Sequence, residues 1–128
     1  MTRRKTLTAL AAAAAMPQAA TPAGNPIHLH CDLEVDPARE KEMLANWTKH
    51  FQPTIRKQPG FVDVKLLKFR KTIAGPGLGK VNYRLLISFE TEEQRLAWVA
   101  RDEHQRVWPT IEKTLVGSKV GCLLYDIV

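Results

Sequence analysis

The sequence has only two cysteines, Cys31 and Cys122, among its 128 residues. Two are too few for a disulfide-stapled scaffold or a four-cysteine zinc site. Proline and glycine together number 15, which leaves no room for a long low-complexity linker. The longest uncharged apolar run is about ten residues, whereas a membrane span needs roughly 20, so we expect no stable membrane insertion. The balance of 45% hydrophobic and 25% charged residues is typical of one soluble globular domain.

The amino terminus predicts a secretory signal peptide with a short linker over residues 1–23. The basic segment Arg3–Lys5 precedes an uncharged apolar stretch over 7–16, and small residues follow as far as Ala23. These are the three parts of a secretory signal. We therefore expect an exported protein, periplasmic or secreted, whose folded domain spans residues 24–128.

The same segment resembles the twin-arginine export signal. The two arginines after Thr2, and Leu7, match its pattern, whereas Thr6 and Thr8 depart from it. The sequence leaves open whether export is twin-arginine or general, and whether cleavage falls near Ala20 or Ala23.

Basic residues are too scattered to form a nucleic-acid surface. The net charge is +6 for the whole chain, but sixteen basic and thirteen acidic residues remain without residues 1–20, or +3. No block of five basic residues occurs, and binding to nucleic acid needs a clustered basic stripe. The Gly79-Lys80 pair also fails as a phosphate-binding loop, because Ala74 and Val81 replace the required glycine and hydroxyl residue.

Hydrophobic periodicity predicts alternating strands and helices. Strict alternation indicates a strand over 27–35, and helical spacing after the Asp36-Pro37 start indicates a helix to Lys57. Strands are also predicted over 61–69, 83–90 and 120–128, with a long loop over 71–80. A helix is predicted to begin after the capping box Thr91–Gln94. A second helical piece over 103–115 is expected to be kinked or restarted at Pro109 and to be ended by Gly117.

The resulting order, β-α-β-β-α-β, is the ferredoxin-like α+β pattern with an antiparallel four-stranded sheet. Helices cover one face of such a sheet. A second copy related by a two-fold axis could cover the other face, so we expect a homodimer in which two sheets form an α+β barrel.

Over residues 27–128 the chain resembles the antibiotic-biosynthesis monooxygenase family of dimeric α+β barrels. The resemblance rests on Val35-Asp36-Pro37 before the first helix, Gln58-Pro59-Gly60-Phe61 before the second strand, the strand from Tyr83 to Thr91, and Trp98 followed by His104. It implies a site in a cavity between sheet and helices. Members include cofactor-free oxygenases of quinols or polyketides and haem-degrading oxygenases.

The haem-degrading branch uses an Asn on the first strand, a Trp on the second helix and a His ten residues later. The Asn position falls on Cys31, Trp98 matches the Trp, and Trp108 stands at the His position, with His104 the nearest histidine. Haem cleavage is thus opposed by two of three residues, whereas haem ligation by Cys31 or His104 stays open.

The resemblance suggests His104 as the general base, because a histidine titrates near neutral pH. Trp98, Trp108, Trp47 and Cys31 are the candidate lining for a small hydrophobic or aromatic molecule. The alternative is that His104 is an exposed or capping histidine and that the tryptophans are ordinary core.

Two further groups of side chains lie on the predicted strands. His28, His30 and Asp32 share one strand face, but neighbours there are about 6.5–7 Å apart, so we predict no metal site. Cys31 and Cys122 lie on the first and last strands, where they could form a disulfide if both side chains leave the same face and oppose each other. The competing role for Cys31 is to line the pocket.

The sequence therefore favours an exported, cofactor-independent monooxygenase acting on a quinol-like or polycyclic aromatic substrate. A non-enzymatic ligand-binding or interaction module of the same fold is the main alternative, because no complete catalytic constellation is present. A haem-binding or haem-degrading protein is the third.

Overall fold

The computed structural model describes residues 26–128, so the predicted signal peptide and the start of the domain at residue 24 lie outside the described residues. The elements are β1 (Ile27–Val35), α1 (Glu40–Asn46), α2 (Gln52–Ile55), β2 (Phe61–Lys68), β3 (Tyr83–Phe89), α3 (Glu92–Ala100), α4 (Asp102–Glu112) and β4 (Leu115–Asp126). The strands form one sheet in the order β2-β3-β1-β4, and each neighbouring pair is antiparallel. The predicted ferredoxin-like α+β fold is confirmed.

The core lies between the sheet and the helices. Alternation along β1 sends Cys31, Leu33 and Val35 toward the helices, where they are buried. Phe51 and Trp98 meet them from the helical layer and are also buried. Among the described residues, none of the helices is both long and apolar enough to cross a membrane.

The first helical region is continuous from residue 37 to residue 55, close to the predicted end at Lys57, but a π turn interrupts its α-helical hydrogen bonding. A 3-10 turn over Pro37–Arg39 begins it, and the Asp36 carboxylate caps that turn by accepting the Ala38 N–H at 2.9 Å. A π turn over Trp47–Phe51 then separates α1 from α2. Pro53 explains the interruption, because proline has no N–H to donate to a carbonyl four residues earlier.

The second helical region consists of two helices, as predicted, with the break at Arg101, but α4 is not restarted at Pro109. Arg101 has extended backbone angles (φ −78°, ψ 150°), whereas Pro109 lies inside the continuous helix α4. Pro109 and Gln105 are both on the exposed side of α4. The Gln105 carbonyl that loses a helical partner can therefore bond to water.

The last strand begins earlier than predicted. α4 ends at Glu112, and β4 already includes Gly117, which was predicted to end the helix. Gly117 has φ +62° and the next residue, Ser118, has φ +55°. The strand therefore contains a local left-handed bend, and its regular pairing with β1 runs from Val120 to Asp126.

Gly60 is expected to be needed both for its backbone angle and for its lack of a side chain. It has φ +80°, and an added Cβ would lie 2.0 Å from Oε1 of Gln94 in α3. Because the left-handed region alone costs an L-residue about 1–2 kcal/mol, we expect Gly60→Ala to lower the free energy of unfolding by about 2–3 kcal/mol. Urea denaturation measures this loss.

Gly75→Ala is the matched control, because Gly75 has φ +75° but nothing within 4 Å of an added Cβ. Its loss should reflect the backbone angle alone and be the smaller of the two. Equal losses would mean that Gln94 moves aside freely.

Candidate functional site

A cavity of about 300 Å³ opens between the sheet and helices α3 and α4. Its floor comes from β1, β3 and β4, and its walls come from the two helices and the π turn. Most of its lining is apolar, and the lining residues are Leu29, Cys31, Phe51, Leu85, Ile87, Arg95, Trp98, Val99, His104, Trp108, Glu112, Val120 and Cys122. The volume lies at the lower end of the range of small-molecule sites, about 300–1,000 Å³.

His104 sits in this wall between two tryptophans. Its ring meets Trp98 edge to face, with centroids 4.9 Å apart, and lies nearly parallel to Trp108, with centroids 6.5 Å apart. Its Nδ1 atom is buried and has no hydrogen-bond partner within the part of the chain that the structure describes. Burial lowers the pKa of His104 below its usual 6.5, so the imidazole is neutral at pH 7.

Aromatic rings form one side of the cavity. Phe51 meets Trp98 and Trp108 edge to face, at centroid distances of 6.0 and 6.1 Å. Trp98 is only 2% exposed, whereas Trp108 is partly buried. Trp98 is thus both core and wall, and Trp108 presents more of its surface to the cavity and solvent.

Trp47, the remaining predicted lining residue, lies outside the cavity lining. Its ring stacks on Phe51, with centroids 5.5 Å apart and 19° between the planes. Phe51 takes the position in the wall, and Trp47 supports it from behind. The structure therefore brings together Trp98, Trp108, His104 and Cys31, but not Trp47.

Cys31 and Cys122 both line the cavity from neighbouring strands. They are direct partners in the β1–β4 register, and their Sγ atoms are 3.1 Å apart. Both are free thiols in this structure. The predicted common face is therefore present, and the covalent bond stays a prediction.

Arg95 and Glu112 are the charged residues of the lining. Arg95 forms a two-point ion pair with Glu92, with Nε–Oε1 and Nη2–Oε2 distances of 2.6 and 2.7 Å. Its side chain is only 17% exposed, so the guanidinium is held in place beside the cavity. Together with the hydrogen bond between Cys31 and Cys122, which is the larger effect, that charge lowers the pKa of Cys122, and it favours a negative group on a ligand.

Sequence reasoning missed Arg95 and Phe51 as lining residues. Arg95 stands three residues before Trp98, which places both on one face of a helix, so helical spacing carried a signal for it. Phe51 was assigned to the apolar face of the first helix. Phe51, and not Trp47, lines the cavity because of the π turn. Pro53 was the sequence feature that could have indicated this turn.

His28, His30 and Asp32 lie on the opposite sheet face, where each contacts a neighbouring side chain. Asp32 is held by Arg84 in a two-point ion pair of 2.6 and 3.1 Å, and His28 Nδ1 shares a hydrogen bond with Ser88 Oγ. His30 packs at 4.8 Å from the Tyr125 ring. Within residues 26–128 there is no group of three metal-ligating side chains.

The residues of the cavity do not fit a haem. A porphyrin with two propionates is larger than a cavity of about 300 Å³. In addition, Trp108 stands in the cavity wall at the position where the haem-degrading pattern needs a histidine. Cys31 is buried and its sulfur is in contact with Cys122.

We therefore expect a haemin titration to give no saturable one-to-one change in the Soret band. The matched sample is His104→Phe, which should give the same non-stoichiometric response as the wild type. Tight stoichiometric binding that disappears in His104→Phe would contradict this expectation.

Solved structures with the same fold include oxygenases. SnoaB of Streptomyces nogalater, described as a cofactor-independent oxygenase, matches with a TM-score of 0.61 and 14% identity over 83% of this chain and 95% of that one. A candidate antibiotic biosynthesis monooxygenase of Caulobacter crescentus CB15 matches with a TM-score of 0.66 and 16% identity over 82% and 92%. A dimeric ferredoxin-like protein of unknown function from Jannaschia sp. CCS1 matches with a TM-score of 0.64 and 14% identity over 80% and 98%.

No family model matches the sequence, and no curated protein matches it. At 14–16% identity the likeness to these three structures establishes the fold. The described chain thus has the ferredoxin-like α+β fold that is shared by antibiotic biosynthesis monooxygenase-like proteins and by the oxygenase SnoaB.

Proposed function

We propose that this chain is an exported, cofactor-independent monooxygenase for a small electron-rich aromatic substrate such as a quinol or a naphthol. One observation carries the proposal. The aromatic-walled cavity is lined by His104, a histidine that stands between Trp98 and Trp108 and that burial keeps neutral at pH 7. An imidazole held neutral in an apolar pocket is suited to accept a proton from a bound hydroxyl or activated C–H group.

The chemistry needs no group that changes oxidation state in the protein. His104 accepts the substrate proton, and the resulting anion is electron-rich enough to react directly with O₂. The anion of a quinol or naphthol reacts at a ring carbon that is CH₂ in the keto tautomer. One oxygen atom ends in the product carbonyl and the other leaves as water, so CH₂ and O₂ become C=O and H₂O. The protein's part is to remove the proton and to hold the anion away from water.

Arg95 supplies the complementary charge. Its guanidinium stays cationic, is oriented by Glu92, and lines the same cavity as His104. A fixed cation in a mostly apolar cavity stabilises the substrate anion more than it would in water. The volume of about 300 Å³ favours substrates of one or two fused rings over larger polycyclic ones.

The test is oxygen uptake with a panel of one- and two-ring quinols and naphthols, together with a three-ring anthrone. We expect saturable uptake with the smaller substrates and incorporation of one ¹⁸O atom from labelled O₂ into the product. The quenching of tryptophan fluorescence reports binding separately. Saturable quenching with no uptake above that of His104→Phe would reject the oxygenase and favour a binding module.

We also propose that a second copy of the chain covers the sheet face opposite the helices. Leu123 and Tyr125 of β4 lie on that face and are 55% and 48% exposed. They lie beside His30, and the Asp32–Arg84 ion pair continues the same surface. The structural relative described as dimeric supports the same arrangement here.

Light scattering is expected to give the mass of two chains, and the double substitution Leu123→Asp/Tyr125→Asp should give the mass of one. Charges buried without partners at an interface are costly, whereas they are solvated on a monomer. Leu96→Asp is the matched control, because Leu96 is 52% exposed on α3, on the helical side. A wild-type mass of one chain, or equal effects of both variants, would contradict the dimer.

Export rests on the sequence of residues 1–23 alone, and we propose it on that ground. The basic segment Arg3–Lys5 and the apolar stretch after it are the supporting features. Expression of the full chain, followed by cell fractionation and amino-terminal sequencing, tests the proposal. A cytoplasmic product that retains residue 3 would reject it.

A further inference from the structure

Cys31 and Cys122 are placed for covalent chemistry with each other. They are separated by 91 positions in the sequence but are direct register partners on β1 and β4. Directly opposed residues of antiparallel strands have Cα atoms about 4.5–5.5 Å apart, within the range of about 4.4–6.8 Å that a disulfide requires. With 3.1 Å between the sulfurs, a bond needs only a small side-chain adjustment.

The two thiols differ in their surroundings. Cys31 is 5% exposed, whereas Cys122 is exposed at the edge strand. Hydrogen bonding with Cys122 and burial raise the pKa of Cys31, so it keeps its proton. The hydrogen bond with Cys31 and the nearby Arg95 charge lower the pKa of Cys122, so its thiolate is the more accessible nucleophile of the two.

We propose that the Cys31–Cys122 pair is a thiol–disulfide exchange site, with Cys122 as the attacking thiol and Cys31 as the resolving thiol. The oxidant is a small-molecule disulfide, RSSR. The Cys122 thiolate attacks one sulfur of RSSR, forming a Cys122–SR mixed disulfide and releasing RS⁻. Cys31 then loses its proton and attacks the Cys122 sulfur, forming the Cys31–Cys122 disulfide and releasing the second RS⁻. The protein dithiol loses two hydrogens, and RSSR becomes two RSH.

This site shares the cavity with the proposed oxygenase but does not depend on it. Both sulfurs line the cavity, so the exchange replaces two thiol groups in its wall with one disulfide. Neither the attacking nor the resolving step uses His104. Loss of oxygen uptake and loss of exchange are therefore separate results.

The test uses the reduced full chain, glutathione disulfide as the probe, and intact-mass measurement. We expect the wild type to lose two hydrogens and to retain no glutathione at the end point. In Cys31→Ser the resolving thiol is missing, so one glutathione should remain attached at Cys122. In Cys122→Ser the buried Cys31 should react at least ~10-fold more slowly than Cys122 does in Cys31→Ser.

Unfolding in urea supplies the control, because it should remove the rate difference between the two single variants. Arg95→Gln should shift the pH profile of the Cys122 reaction to higher pH, since it removes the nearby positive charge. If folded wild type retains glutathione or keeps two free thiols, the proposal is wrong. Equal reaction rates for the two folded single variants would also overturn the proposal. If either variant fails to fold, the proposal is tested by the wild-type result alone.

Discussion

His104→Phe is expected to lower kcat/KM for oxygen uptake by about 10²–10⁴-fold, the usual contribution of a positioned general base. Phenylalanine keeps a flat ring between Trp98 and Trp108 but has no nitrogen to accept the substrate proton. The fold should therefore survive while proton removal does not. Oxygen-electrode kinetics on purified protein measure the loss, and circular dichroism checks the fold.

The same residue predicts the pH dependence. Burial lowers the folded-state pKa of His104 below 6.5, and the base is active only when neutral. Wild-type kcat/KM should therefore fall as the pH drops through this lowered pKa. Stability follows the same sign: below pH 6.5 the unfolded chain binds this proton more readily than the folded chain, so the free energy of unfolding decreases toward acid. In His104→Phe this contribution to the decrease should be absent.

His50→Phe is the control substitution, since His50 lies in the π turn and is exposed. It removes a histidine without touching the cavity lining. We expect kcat/KM and its acidic limb to stay at the wild-type values. If His50→Phe lowers activity as much as His104→Phe, the base does not act from the cavity.

Much of the fold was predictable because its signals are local. The alternation over 27–35 gave β1 with its buried face, and the Thr91 capping box gave the start of α3, where the Thr91 hydroxyl accepts the Gln94 N–H at 3.1 Å. Asp36-Pro37 likewise marks the turn that begins the first helical region. In each case a few neighbouring residues determine the hydrogen bonds that define the element.

The site was less predictable because its geometry depends on where helices break. Proline is a local signal, but its effect differs between the two helical regions although both prolines are exposed: Pro53 accompanies a π turn, whereas Pro109 is accommodated within α4. The π turn places Phe51 in the cavity wall and Trp47 behind it. A helical wheel drawn for a regular α-helix does not predict that Phe51, and not Trp47, lines the cavity. The direct Cys31–Cys122 opposition likewise requires the exact register of two strands 91 positions apart.

Substitution of the two cavity tryptophans is expected to have different effects, because Trp98 contributes mainly to stability and Trp108 mainly to substrate binding. Trp98 is 2% exposed and packs on Phe51 and His104, so Trp98→Ala should lower the free energy of unfolding by about 3–5 kcal/mol. Trp108 is only partly buried, so Trp108→Ala should cost less stability. It should instead raise KM, because it removes the ring that lies nearly parallel to His104 and widens the cavity.

Urea denaturation and steady-state kinetics on the same preparations test this division. Trp98→Phe is the matched control, since it keeps an aromatic ring in the core and should lose less stability than Trp98→Ala. Equal destabilisation by Trp98→Ala and Trp108→Ala, with unchanged KM in the latter, would assign both rings to the core. The aromatic wall would then be packing alone, and the ligand would have to bind through the polar lining at Arg95 and Glu112.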